Sequence, residues 1–156
     1  MTSYTSYNIH PALRLILTNF QGTIQISDVT QMTLKFINDK EYDASYDLIM
    51  DFRDSIAFGF NLDLMDYIEF FKKSISLKNR IQVGIMYSTP NQKFLLSIYK
   101  PIASLLKMDV GDFEKIDSCL QWMGYTENDQ LLIKESLEKM KYKPSEEEDS
   151  NADQKE

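Results

Sequence analysis

Apolar residues along the chain form short runs that are typical of strands and spaced stripes that are typical of helices. Residues 4–9 and 13–20 are predicted to form two strands, with the turn residues His10, Pro11 and Ala12 between them. In the second segment leucines fall on one side and Ile16 on the other, as expected of a strand covered on both faces, and Gly22 is predicted to end it. The short separation favours an antiparallel hairpin.

A helix, a strand and a second helix are predicted next. Ser27 is expected to cap the first helix. The apolar stripe of that helix consists of Val29, Met32 and Phe36. Residues 46–52 contain a continuous apolar run, which indicates an interior strand of a sheet with helices on both faces. Asn61 is expected to cap the second helix. Its stripe consists of Leu64, Ile68, Phe71 and Ile75.

Residues 81–87 show the clearest strand pattern, and a helix start follows, with Thr89 as N-cap and Pro90 in the first helical position. The stripe predicted for this third helix consists of Phe94, Leu95, Ile98, Ile102, Leu105 and Leu106. A last strand is predicted at residues 108–113. A two-turn helix then ends at Gly124, and Thr126-x-x-Asp129 begins a final helix.

This order of elements predicts an α/β fold: a single-layer, mixed, mostly parallel sheet of about five strands with helices on both faces, plus an extra C-terminal helix. Residues 1–142 are expected to form one domain. Residues 144–156 hold six acidic residues and one lysine, a net charge of −5 within a chain total of −7. This low hydrophobicity and high charge predict a disordered acidic tail over residues 143–156.

Composition argues against several classes of function. The body outside the tail is nearly neutral, so it offers no basic face for nucleic acid. Neither a secretory signal nor a transmembrane segment is recognisable, and the single cysteine fits a reducing compartment, so a cytoplasmic protein is expected. One histidine and one cysteine, far apart in sequence, do not suggest a metal site, and glycine-rich nucleotide motifs are missing. We therefore expect no cofactor and no metal.

Three groups of residues are candidates for a site. Asp51, Arg53 and Asp54 are the compact charged group at the expected end of the third strand, where open α/β sheets place ligand sites. They suit either a carboxylate pair in a small enzyme or an internal ion pair. Ser88 and Thr89 precede a helix and could either hold a small anion through free N–H groups or cap the helix.

Two aromatic residues form the third group. Phe58 and Phe60 flank a glycine in the expected crossing from strand to helix. They could form an apolar contact patch or pocket mouth, or fold inward over the sheet.

The chain resembles a known superfamily. The order of elements, the segment LIMDFRD, the strand IQVGIMY followed by STP, and the closing FEKIDSCLQWMGY are similar to the SpoIIAA-like branch of the STAS (sulphate transporter and anti-sigma-factor antagonist) superfamily, over roughly residues 4–125. The resemblance, closest to an uncharacterised bacterial branch likened to SEC14 domains, implies the SpoIIAA-like fold. It also implies a non-enzymatic interaction or regulatory module that binds a protein partner or an apolar small molecule.

The anti-sigma-factor antagonists of this superfamily carry a phosphorylated serine at the start of the second helix. Ser55 is the nearest hydroxyl in this chain, but it precedes the expected helix start by about six residues, and residues 58–61 contain no hydroxyl. A phosphoswitch at Ser55 is therefore the alternative expectation, and an enzyme using Asp51 and Asp54 comes last. The sequence leaves open the partner and whether the chain forms a homodimer.

Overall fold

A computed structural model describes residues 3–58 and 62–141, and the side chains within these ranges except those of residues 57, 58 and 62–64. The strands are β1 Tyr4–His10, β2 Leu15–Gln25, β3 Asp47–Phe58, β4 Ile81–Met86 and β5 Met108–Phe113. The helices are α1 Ile26–Ile37, α2 Leu62–Ser74, α3 Pro90–Leu105, α4 Ile116–Met123 and α5 Glu127–Met140. A single 3-10 turn, Pro11–Leu13, joins β1 to β2.

The five strands form one sheet in the order β1-β2-β3-β4-β5. β1 pairs with β2 in antiparallel register, and each later neighbour is parallel. Parallel neighbours need crossover connections, and here α1, α2 and α3 provide them. The sheet is therefore mixed and mostly parallel, as predicted.

Two apolar cores lie on opposite faces of the sheet. The larger core contains Val29 of α1, Ile68 of α2 and Leu96 of α3, so these three helices cover one face. The smaller core contains Leu120 of α4 and Leu137 of α5, which cover the other face. The interior strands supply both cores. Because both faces of these strands are covered, their sequences are continuous apolar runs rather than alternating apolar and polar residues.

Several helix boundaries follow the predicted chemistry. The Thr89 hydroxyl accepts a hydrogen bond from the backbone N–H of Gln92 at the start of α3, and Pro90 occupies the first helical position. Gly124 ends α4 with a φ of 82°, a left-handed conformation that favours glycine. Thr126 caps α5 by accepting from the Asp129 N–H.

Other boundaries were predicted wrongly. β2 does not end at Gly22, whose φ of 80° is accommodated within the strand while the parallel ladder to β3 continues as far as Gln25. α1 is capped by Gln25 rather than Ser27, because the Asp28 carboxylate accepts a hydrogen bond from the Gln25 N–H. The predicted cap of α2, Asn61, lies outside the described residues.

The predicted stripe of α3 was also wrong in part. Phe94 and Leu105 face solvent, whereas Leu96, Tyr99 and Ala103 are buried. Both sides of this helix carry apolar residues, so spacing alone did not identify the buried side. No helix within the described ranges is long and apolar enough to cross a bilayer.

Candidate functional site

The strand β3 positions most of the candidate residues and is longer than predicted. It continues past Asp51 to Phe58, so Asp51, Arg53 and Asp54 lie within a strand rather than at its end. Pairing with β4 stops at Asp51 and Met86, and only the ladder to β2 continues. The seven residues after Asp51, residues 52–58, form an arm of the sheet at its carboxyl end.

A β-bulge interrupts the ladder between β2 and β3 at the base of this arm. Asn19 is opposite Asp51 and Gln21 is opposite Asp54, so β3 has one extra residue between these pairs. Side chains three residues apart point to opposite faces of a regular strand. The bulge removes this alternation, and Asp51 and Asp54 both come to the face covered by α5.

Asp51 and Arg53 form an ion pair on that face, in which the carboxylate is buried and the guanidinium is partly exposed. Arg53 donates through Nε to Asp51 Oδ1 at 2.9 Å and through a terminal nitrogen to Oδ2 at 2.8 Å. The Arg53 backbone N–H also donates to Oδ1, at 3.1 Å. The Asp51 side chain is 1% exposed and that of Arg53 is 26% exposed. This bidentate geometry occupies both oxygens of the carboxylate.

The end of α5 covers the pair with further charges. Lys141 Nζ lies 3.5 Å from Asp54 Oδ2 and 3.1 Å from Glu138 Oε1. Burial alone would lower the pKa of Lys141, but the hydrogen bond with Glu138 and the nearby carboxylates raise it. The lysine is therefore charged at neutral pH and balances Asp54.

Asn19 lies beside this cluster without a hydrogen-bond partner in the described part of the chain. Its side chain is completely buried, and neither amide atom is satisfied. The strand register places Ser6, Asn19 and Asp51 in a row across β1, β2 and β3. Ser6 Oγ donates to the Met140 carbonyl at 3.1 Å. A polar row therefore lies beneath the last turn of α5.

On the opposite side of the arm, Gln92 connects α3 to β3. Gln92 Oε1 accepts from the backbone N–H groups of Ser88 at 2.8 Å and Thr89 at 3.3 Å. Gln92 Nε2 donates to the carbonyls of Phe52 at 3.0 Å and Ser55 at 2.9 Å. One buried side chain thus fixes both the start of α3 and the base of the arm. We call this contact the Gln92 clamp.

Ser55 belongs to the clamp rather than to an exposed crossing. It is 4% exposed, and its hydroxyl donates to the Phe52 carbonyl at 2.7 Å. Gln92 Nε2 approaches the same hydroxyl at 3.4 Å. A kinase would have to open these contacts to reach it.

Ser88 and Thr89 also act within the protein. Ser88 Oγ donates to the Arg53 carbonyl at 2.7 Å, while Thr89 caps α3. Both backbone N–H groups are bonded to Gln92, so neither is free to bind an anion in this arrangement.

Large apolar side chains are exposed at the same end of the sheet. Ile56 of β3 is 57% exposed, Met65 in the first turns of α2 is 49% exposed, and Phe94 near the start of α3 is 58% exposed. The side chain of Phe58 and the whole of Phe60 lie outside the described residues. We call Ile56, Met65 and Phe94 the carboxyl-end surface. Sequence reasoning placed Phe94 in the apolar stripe of α3 and did not single out Met65.

The remaining reactive side chains are held in packed or hydrogen-bonded positions. Cys119 is buried, and burial is the main cause that raises its pKa to about 12. His10 Nε2 lies 2.9 Å from Ser136 Oγ, and partial burial lowers its pKa, so it is neutral at pH 7. Within the ranges the structure describes, no three metal-binding side chains gather in one place.

Comparisons with known proteins identify the fold. Neither a protein-family model nor a curated protein sequence matches the chain. The structure is similar to that of an uncharacterised protein of the DUF3478 family from Shewanella loihica PV-4, described as having a SpoIIAA-like fold. The TM-score is 0.51 at 15% identity, covering 78% of this chain and 95% of that one. The chain therefore has the SpoIIAA-like fold that the resemblance implied. At this identity the likeness establishes the fold alone.

Proposed function

We propose that this protein is a non-enzymatic, STAS-like interaction module that binds a protein partner through the carboxyl-end surface. The supporting observation is that β3, α2 and α3 each expose a large apolar side chain at this end of the sheet. Open α/β sheets place their ligand sites at the carboxyl ends of the strands. Large exposed apolar side chains are typical of interaction sites, and a partner that lies across this end of the sheet would cover all three.

The backbone beneath this surface supports binding with little rearrangement. The Gln92 clamp holds the base of the arm, and Ser88 adds a hydrogen bond to Arg53. A surface whose backbone is already ordered loses less conformational entropy when a partner binds. We therefore expect the surface to act as a preformed contact site.

The proposal is tested by quantitative affinity capture from the native cell with substituted full-length chains. Ile56→Ser and Phe94→Ser remove exposed apolar area without touching the core. Leu131→Ser is the matched control, because Leu131 is 60% exposed on α5. We expect the first two variants to lose the same captured protein and the control to retain it. Capture that is equal for all variants would contradict the proposal.

The geometry gives less support to the phosphoswitch alternative. A phosphate on Ser55 would bring about two negative charges next to the Phe52 carbonyl, in a position that is 4% exposed. Mass spectrometry of the protein from its own host tests this alternative. Phosphorylated Ser55 would favour the switch over a constitutive contact surface.

An enzyme based on Asp51 and Asp54 is also less well supported. Both oxygens of Asp51 are bonded to Arg53, and Asp54 is paired with Lys141. Neither carboxylate is free to serve as a general acid or base in this arrangement. Native mass spectrometry after gentle purification tests the remaining alternative, an apolar small-molecule ligand carried through purification.

A further inference from the structure

The helix α3 presents apolar residues to solvent along the side opposite its core contacts. Phe94 is 58% exposed and Leu105 is 85% exposed, and Pro101 between them is also exposed. Their spacing of seven and then four residues places all three on one side of the helix. Leu96 and Tyr99, on the other side of the helix, are buried in the core. Folding therefore does not explain the apolar character of Leu105.

Leu105 borders a groove between the carboxyl ends of α2 and α3, at the end of the sheet opposite the carboxyl-end surface. The groove has a volume of about 210 Å³. Its apolar walls are Phe71, Ile75, Leu77, Leu105 and Leu106. Small-molecule pockets usually exceed roughly 300 Å³. This groove is therefore better suited to one large apolar side chain of a macromolecule than to a whole small molecule.

Hydrogen bonds hold the walls of the groove together. Arg80 donates to the carbonyl and the hydroxyl of Ser104, both at 3.3 Å. Lys107 Nζ donates to the carbonyls of Leu77 at 3.1 Å and Lys78 at 3.4 Å. The turn after α2 is thus fixed against the end of α3, and the groove is present before any partner arrives.

Lysines lie in the groove and next to its lining residues in sequence. Lys72 and Lys107 line it, and Lys73 and Lys78 are exposed beside them in sequence. Among the residues the structure describes, Lys72 has a carboxylate partner, Glu69 at 3.5 Å, but Lys73, Lys78 and Lys107 have none within ion-pair distance. The nearby Asp109 is already paired with Arg80 at 2.6 Å. α3 itself contains no acidic residue.

From this combination we infer that the groove at residues 71–77 and 105–107 binds an acidic segment of a partner protein that carries one large apolar side chain. The apolar side chain enters the groove beside Leu105, and flanking carboxylates face Lys73, Lys78 and Lys107. Charge complementarity selects the partner, and the groove fixes its register. This site is separate from the carboxyl-end surface and does not depend on the function proposed for it.

The chain's own acidic segment is the main competing occupant. Residues 144–156 carry a net charge of −5 but contain no large apolar residue. They match the lysines but cannot fill the groove. A partner segment with both features should therefore bind more tightly than this tail.

The test uses fluorescence anisotropy with a labelled synthetic peptide that has a single leucine between runs of glutamate. The protein is the full-length chain, and a second peptide replaces the leucine with serine. Leu105→Ser is paired with the control Leu131→Ser. The double variant Lys73→Glu and Lys78→Glu is paired with the double variant Lys35→Glu and Lys115→Glu, which reverses exposed lysines elsewhere.

We expect saturable binding that weakens about tenfold for Leu105→Ser and for the serine peptide, because the leucine loses most of its burial. Charge reversal at Lys73 and Lys78 should weaken binding to a similar extent and reduce its salt dependence. Equal losses in the control variants would overturn the inference. So would binding to anionic phosphatidylglycerol vesicles without peptide binding. Peptide binding only after deletion of residues 144–156 would assign the groove to the chain's own tail instead.

Discussion

Replacing Asn19 by leucine should stabilise the protein. Asn19 is completely buried in β2, and neither its amide nitrogen nor its amide oxygen has a hydrogen-bond partner in the described part of the chain. On folding, such an amide loses its hydrogen bonds to water and forms no hydrogen bonds within the protein to replace them. Leucine has a similar branched shape and no polar atoms, so the substitution removes the penalty while the strand remains covered by α5.

The magnitude follows from the unsatisfied amide. Leaving a buried donor or acceptor unpaired costs about 1–3 kcal/mol. Leucine also buries additional apolar area, but overpacking in a tight core offsets part of this gain. We therefore expect a net stabilisation of about 1–3 kcal/mol. In a chain of this length this corresponds to a rise in Tm of about 2–10 °C.

Urea unfolding followed by circular dichroism measures this change as a higher midpoint at an unchanged slope. The matched control is Thr18→Val at the neighbouring buried position. Thr18 donates to the Ile49 carbonyl at 3.2 Å, so this near-isosteric change should destabilise by about 1 kcal/mol. Destabilisation by Asn19→Leu of 1 kcal/mol or more would refute the reasoning. It would indicate that overpacking outweighs the gain, or that a bound water or ligand satisfies the amide in the row with Ser6 and Asp51.

Three other predictions concern the core and the ion pair. Arg53→Met should destabilise by about 3 kcal/mol in urea unfolding, because Asp51 is left buried without its partner, and adding Asp51→Asn should recover most of the loss. Gly84→Ala should destabilise by about 1–3 kcal/mol, because its new methyl group would overlap the Cys119 sulfur; adding Cys119→Ala should restore stability. Cys119 should resist a thiol reagent at pH 8 until urea unfolds the chain. Because its folded pKa is about 12, the stabilisation that this raised pKa provides should be complete below the unfolded pKa of about 8.5 and lost as pH rises toward 12.

The parts of the fold that sequence could predict depend on local signals. Caps and stops such as Thr89, Gly124 and Thr126 act through their own neighbours, so their chemistry was readable in the sequence. Continuous apolar runs identified the interior strands for the same reason. The arm of β3 could not be predicted in this way. Its residues 53–55 are polar, its alternation is broken by the bulge, and its pairing depends on β2, more than 30 residues earlier.

The site was predictable only in part. Asp51 and Arg53, two residues apart, would share a face of any strand, so their contact follows once the strand is known to continue. Gln92 completes the pattern Thr89-x-x-Gln92, a capping-box signature that could have been recognised. Lys141 reaches Asp54 from the end of α5, and no local pattern predicts that contact.

The bulge explains why neighbouring residues of β3 contact different helices, the charged end of α5 on one face of the sheet and α3 on the other. Pairing with β4 stops at Asp51, so the arm is held by β2 on one edge and by the Gln92 clamp at its base. The bulge turns Asp51 and Asp54 toward the charged end of α5, while Ser55 stays on the side of α3. A partner that pulled on the exposed Ile56 would act on this arm, which has a strand neighbour on one edge only. The clamp and the ion pair would then resist that displacement from opposite faces, so loss of either should loosen the carboxyl-end surface as well as lower stability.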